Sequence, residues 1–218
     1  MKILIVNDVG ALSGGAERLS LVLRDGLRTR GHDARLFTSS ALPTAAANPA
    51  DYVCFGTESA LQRVTQVVNP AAIVSLRRVL RDFDPDVVHV RMFLGQLSAF
   101  ILPLLRDRRC VLHIGSYQIV CPLNTRVLPD STDCTAVAGI ACHKSGCVGL
   151  AGLARTLAQN SAVNFWRDVF DTVVANSHGL ADRLALGGVR VNEVIWNGTP
   201  VMAGRKDLFD KPTVAYAG

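Results

Sequence analysis

The sequence lacks the features that mark several protein classes. It has no long apolar run. The first, Ile3-Leu4-Ile5-Val6 after Lys2, is soon followed by Asp8, and the longest, Phe93 to Leu105, contains Gln96, Ser98 and Pro103. Spanning a bilayer takes ~20 apolar residues, so the longer run is read as a buried helix, and neither resembles a secretory leader. Aromatic residues make up only 6%, too few to interleave with basic residues for stacking on single-stranded nucleic acid; no nucleic-acid partner is expected. Charged residues are sparse at 19% and apolar residues reach 49%, which excludes a disordered chain. Neither G-x-G-x-x-G nor a Walker A loop occurs. No paired carboxylates with acid/base spacing and no Ser-His-Asp order can be argued.

What is present is a regular alternation of strand-like and helix-like segments over 218 residues, enough for one sizeable core with an extra segment. Ile3–Val6, Asp33–Thr38, Val87–Val90, Cys110–Ile114, Thr172–Ala175, Glu193–Trp196 and Thr213–Ala217 read as strands. Helices are expected at Gly15–Arg30, with Leu19, Val22, Leu23 and Leu27 on one face and Gly31 as C-cap. Others are expected at Ser59–Val68, Ala71–Asp82, Leu94–Arg106, Leu150–Phe170 and Ser177–Leu186. Residues 40–50 read as a loop and 197–212 as a linker. This pattern predicts an α/β fold: a Rossmann-like, doubly wound parallel sheet with helices on both faces. Ligands of such sheets bind at the carboxyl ends of the strands, which directs attention to four places: after Val6, Val90, Ile114 and Ala175.

After Val6, the stretch Asn7-Asp8-Val9-Gly10-Ala11-Leu12-Ser13-Gly14-Gly15-Ala16-Glu17-Arg18 puts three glycines between the first strand and the first helix. Adjacent glycines at a helix start let a phosphate or a sugar approach free backbone N–H groups at the positive helix end; a tight turn needing positive φ is the alternative. After Val90, Arg91 stands at the mouth of a strand carrying His89, placed to meet an anion, although a lone His is more often a hydrogen-bonded core residue. After Ile114 come Gly115-Ser116-Tyr117, with His113 just before, where Ser116 and Tyr117 offer hydroxyls. After Ala175, Ser177 sits at a helix start, to bind a polar ligand or simply to cap the helix.

The irregular stretch 116–147 holds four of the six cysteines, Cys121-x12-Cys134-x7-Cys142-x4-Cys147, with His143 beside Cys142. Four thiols in a segment without a core of its own suit a structural zinc site. Two disulfides, or four free thiols, are the alternatives, and a cytoplasmic setting favours zinc over disulfides. Cys54 and Cys110 read as small buried residues. The net charge of +5 and the sequence pI of about 9.1 suggest an anionic partner or a mildly basic surface. The clusters Arg77-Arg78-Arg81 and Arg106-Arg108-Arg109 would rest on anionic lipid or lie as solvated helix ends.

In order along the chain, MKILIVND, GGAERLSLVLRDGLRTRGHDARLFT, PDVVHVR, VLHIGSYQIVCP, VVANSHGLADRLALGGVRVNEVIWNGTPV and PTVAYAG resemble the N-terminal half of a GT-B glycosyltransferase of family 4, the retaining, nucleotide-sugar-dependent type. The resemblance implies a hexosyltransferase activity with a nucleotide-diphosphate-sugar donor and a glycan or lipid-linked acceptor. It implies no catalytic metal and no protein nucleophile, so positioning and charge stabilisation carry the chemistry. Gly14 and Gly15 would face the donor phosphates and the acceptor, with Glu17 and Arg18 orienting the loop. Arg91, Ser116, Tyr117, Ser177 and Asn197 complete the ligand-facing set, and His113 is the catalytic candidate. Two departures stand out. Family members commonly carry His-Asp before Tyr-x-x-x-Cys-Pro, whereas here Gly115-Ser116 precedes Tyr117 and the histidine comes two residues early. Family members also continue past a strand like Val214–Gly218 into a second, donor-binding domain. On this reading residues 1–196 are the acceptor-side domain, 213–218 open the missing half, and the piece alone is expected to be inactive. The location implied is cytoplasmic, at most peripheral on the inner face of the membrane. A stand-alone saccharide- or anion-binding module, or a zinc-stabilised interaction domain, remain the rival readings.

Overall fold

The computed structural model describes residues 1–10, 14–41 and 48–198. Seven strands form one parallel sheet: β1 (Lys2–Val9), β2 (Asp33–Ser39), β3 (Tyr52–Cys54), β4 (Val87–Val90), β5 (Arg109–Ile114), β6 (Thr172–Ala175) and β7 (Glu193–Val194). Their order is β3-β2-β1-β4-β5-β6-β7. The chain winds outward from β1 in one direction and then from β4 in the other, so the switch point of this Rossmann-like α/β sheet lies between β1 and β4, where a crevice opens at the carboxyl ends. The helices are α1 (Gly15–Thr29), α2 (Gln62–Thr65), α3 (Pro70–Phe83), α4 (Ile140–Lys144), α5 (Leu150–Trp166) and α6 (His178–Leu186).

Strand alternation divides the core. Leu4, Val6, Val88, Val90, Leu112 and Ile114 point to one face, where α3, α5, α6 and a 3-10 segment (Ala99–Leu105) pack in the main cluster. Ile5 and Leu36 point to the other and meet Leu21 of α1 in a small second cluster. Local chemistry sets the ends of α3: the Asn69 side chain accepts the Ala72 N–H at 3.1 Å, Pro70 fills the first helical position, and Asp84 closes the helix in the left-handed region at φ 49°. Gly31 (φ 82°) does the same just after α1.

Several expectations are corrected. The expected helix Leu94–Arg106 forms only as the 3-10 segment from Ala99. The backbone N–H groups of residues 95–97 are taken by the Asp8 carboxylate, Ser98 has φ 71°, and Pro103 removes a further donor. The run is nonetheless buried, as expected. Of Ser59–Val68 only Gln62–Thr65 is α-helical, and α5 ends at Trp166, before a short 3-10 turn. Strand β3 was not anticipated; its three residues carry no periodicity and are ordered by pairing with β2. The apolar stripe expected on α1 is only half covered: Leu23 and Leu27 pack part-buried against the second cluster and Val22 is exposed, while the fully buried positions are Ser20, Leu21 and Arg24. The core of the expected loop 40–50 and the expected linker and strand at 199–218 lie outside the described residues.

Candidate functional site

Because all seven strands are parallel, their carboxyl ends share one edge, and the four loops singled out in the sequence meet there. Buried Asp8 accepts N–H bonds from Gly95 (2.7 Å), Gln96 (2.8 Å) and Leu97 (2.9 Å), tying the end of β1 to the segment after β4. Burial pushes this carboxyl up, against the pull of the three N–H groups. A Cβ on Gly95 would stand 2.9 Å from Asp8 Oδ2, so glycine is needed there. A Cβ on Gly115 would lie 3.8 Å from Arg91 Nη2, which places the β4 and β5 loops side by side. Asn176 Nδ2 donates to the Gly115 carbonyl at 3.4 Å, adding the β6 loop.

At the start of α1, the helix N-cap is Gly14, with an extended backbone (φ −163°), so the positive-φ alternative does not hold there. A Cβ on Gly14 would meet Glu17 Oε2 at 2.8 Å. A Cβ on Gly15 would meet nothing within 4 Å, leaving an open approach to the helix end. Arg18 is exposed on the same turn.

Arg91 is 7% exposed and makes no side-chain hydrogen bond or ion pair among the described residues; its Nε is buried without a partner. Burial lowers its pKa, opposed by the charge of Glu17. The register that sets β4 beside β5 brings His89 and His113 together, with ring centroids 5.4 Å apart. Burial, followed by the charges of His113 and Arg91, holds His89 down at about 3; burial and Arg91 hold His113 at about 4. Both rings are therefore neutral near pH 7, and the Nε2 atom of each is buried with no partner. Three orphaned nitrogens in one patch are unusual for a folded interior.

Arg91, His113 and Asn197 line one cleft of about 590 Å³, whose wall is the outer stripe of α1 (Leu19, Val22, Leu23, Leu27) together with Ile195 and Trp196. That stripe is the part of the site the sequence reading missed: its helical period was plain, but which way it faced was not. Gly14, Gly15, Glu17 and Arg18 are not part of this lining. Ser116 shares a smaller hollow with Arg91 and Gly115. Tyr117 packs against the main core. Ser177 takes the capping alternative, its Oγ accepting the Leu180 N–H at 3.2 Å.

All six cysteines are unpaired. Cys54 and Cys110 are core residues, each thiol pushed by burial to about 12. Cys121, Cys134, Cys142 and Cys147 line a single narrow void of about 10 Å³. Among the described residues no three His, Cys, Asp or Glu side chains stand placed around an ion as they are. Burial raises the Cys121 thiol, but the backbone N–H groups of Arg126, Thr125, Leu123 and Asn124 outweigh it and hold the thiol below its usual range. His143 Nδ1 lies 2.9 Å from the Val148 carbonyl and is engaged with the backbone. Of the arginine clusters, Arg81 pairs with Asp82 and Arg108 with Asp84. No described helix is long and apolar enough to cross a membrane.

In overall shape the chain resembles sucrose-phosphate synthase from Thermosynechococcus elongatus (TM-score 0.53, 12% identity, covering 91% of this chain and 48% of that one). Weaker likenesses are to Anabaena HepE in complex with UDP and glucose (TM-score 0.48, 17% identity, 91% and 45%) and to an alpha-glucosyltransferase in complex with UDP-glucose and DNA containing an abasic site (0.47, 14%, 93% and 43%). The chain spans less than half the length of each of these structures. No curated protein gives a significant sequence match. The model of Glycosyltransferase Family 4 matches residues 13–201, nearly the whole of the described fold, and the chain belongs to that family.

Proposed function

We propose that this chain is the acceptor-side half of a retaining hexosyltransferase that moves a sugar from a nucleotide-diphosphate sugar to a glycan or lipid-linked saccharide. The observation that carries the reading is Arg91: a buried guanidinium with no ion-pair partner among the described residues, only the more distant charge of Glu17 opposing its burial, on the carboxyl edge where α1 begins. A buried cation left unpaired is costly, and an anionic ligand offsets that cost. The open backbone at Gly15 supplies N–H donors and the positive helix end to the same ligand. Gly14 and Glu17 shape that turn, and Arg18 stands beside it. Ser116, Tyr117 and Asn197 are assigned to hydroxyl-bearing groups of donor or acceptor; Ser177, whose Oγ accepts the Leu180 N–H as helix cap, has only its hydroxyl hydrogen to offer them.

His113 is the catalytic candidate. Kept neutral, it offers a hydrogen bond without charge to a sugar hydroxyl and does not act as an acid at neutral pH. No side chain is cast as a nucleophile; orientation and charge stabilisation of the departing diphosphate carry the rate. Work takes place at the cytoplasmic face, with the donor held largely by a partner domain.

The test is sugar transfer by the protein at its full genomic length, using a panel of nucleotide-diphosphate sugars and radiolabelled product. Gly15→Val is expected to abolish transfer while circular dichroism stays unchanged, because the added side chain closes the approach to the helix start. Wild-type rates in that variant would remove the α1 start from the site. Inversion at the product anomeric centre would remove the retaining assignment.

A further inference from the structure

The insertion between β5 and α5 presents a problem that the transferase reading does not address. Residues 116–147 contain one short helix and a single isolated bridge, Val127 to Asp133. They are held to the body by few polar contacts, among them Arg183 to Asp133 at 2.5 Å and Asn160 to the Ala138 carbonyl at 3.0 Å. Inside the insertion lies Arg126, only 3% exposed and in the left-handed region at φ 55°. Its Nη1 donates to the Ala136 carbonyl at 2.6 Å, but its Nε and Nη2 are buried without partners, and no carboxylate pairs with it among the described residues. A guanidinium stays charged under all ordinary conditions. A buried, half-satisfied one requires a negative charge close by.

The polar side chains that share a cavity with Arg126 are the four thiols and Ser145. Cys121, Cys134, Cys142, Cys147 and Arg126 all line the same void of about 10 Å³, at the lower limit of what one water needs.

We infer that Cys121, Cys134, Cys142 and Cys147 form a tetrathiolate zinc(II) site with Arg126 as its buried counter-cation. On binding, each Cys–SH gives up its proton to solvent and four sulfur–zinc bonds form. Four thiolates around one Zn²⁺ carry a net charge of −2, which supplies what Arg126 lacks. Thiol rotation about χ1 within the shared void brings the sulfurs from lining to ligation. The site staples the insertion whose first residues, Ser116 and Tyr117, follow β5 at the cleft edge. This inference stands independently of the transferase reading.

The experiment uses the full chain expressed with zinc in the medium. Elemental analysis is expected to give about one zinc per chain. Cobalt(II) exchanged into the site is expected to give the strong visible bands of tetrahedral thiolate coordination. Thiol titration under native conditions should leave four cysteines unreactive in addition to the buried pair, until a chelator is added. Cys142→Ser is expected to lose the metal. Should that variant fail to fold, Arg126→Met provides the second reading: about 10–100-fold weaker zinc retention against a chromophoric competitor, the usual range for a neighbour of the ligands. Metal-free wild-type protein whose stability is indifferent to chelator would overturn the site, as would a mass four hydrogens lighter from two disulfides. Zinc retained equally by Cys142→Ser and Arg126→Met would overturn it as well.

Discussion

Glu17 folds back over Gly14, its Oε2 lying 2.8 Å from the point that a Cβ on Gly14 would occupy, whereas a Cβ on the adjacent Gly15 would meet nothing within 4 Å. The two glycines therefore answer to different demands. Gly14→Ala displaces Glu17 and replaces a favourable N-cap with a poor one; a loss of about 1 kcal/mol is expected in chemical denaturation. Gly15→Ala meets no obstacle inside the fold, and removing glycine stabilises by roughly 0.4–1 kcal/mol through the unfolded chain. A Gly15→Ala variant as unstable as Gly14→Ala would show that Gly15 serves the fold and not a ligand.

Arg91 separates function from stability more sharply. Replacing an unpaired buried charge with an apolar side chain of similar length removes a desolvation cost. Arg91→Met is thus expected to keep or raise the melting temperature while weakening retention of nucleotide-diphosphate sugars by the intact protein. A large drop in melting temperature would mean that Arg91 is a structural residue.

Asp8 holds three backbone N–H groups of the segment after β4. In Asp8→Ala these donors lose their acceptor in a buried place, at a cost of roughly 1–3 kcal/mol each in the worst case. The variant is expected to lose about 3 kcal/mol, and amide exchange at residues 95–97 should rise well above its level elsewhere in the sheet. Protection retained at those three amides would mean that other groups hold the segment.

The neighbouring histidines predict an acid sensitivity with a definite sign. Both are depressed from 6.5, His89 to about 3 and His113 to about 4. The stability from keeping them neutral is whole above pH 6.5. It is lost as pH falls toward 4, at up to ~1.4 kcal/mol per pH unit for each ring. Denaturation at pH 7.5 and pH 5 should show wild type losing more on acidification than His89→Gln. Equal losses would place the acid sensitivity elsewhere.

Much of the fold was legible because its strands are short β-branched runs buried on both faces, a pattern that survives without any tertiary knowledge: Ile3–Val6, Val87–Val90 and Thr172–Ala175 fall within one strand each. The Leu94–Arg106 helix was misread because its competitor, Asp8, stands far away in sequence; a carboxylate that captures three N–H groups leaves no trace in local periodicity. The cleft stripe on α1 shows the same limit from the other side. Leu19, Val22, Leu23 and Leu27 have the right spacing for a buried face, but whether a neighbour covers that face depends on what packs beside the sheet.

The sequence by itself determined the α/β alternation, the parallel sheet, the four loops at which ligands can meet it and the grouping of four cysteines in one irregular segment, because these follow from side-chain period and turn chemistry. The tertiary structure alone decided that His89 and His113 lie side by side, that Arg91 has no ion-pair partner among the described residues and that Arg126 lies buried among the thiols. Register between strands and the reach of a buried charge are set by residues far apart in the chain, and no local pattern encodes them.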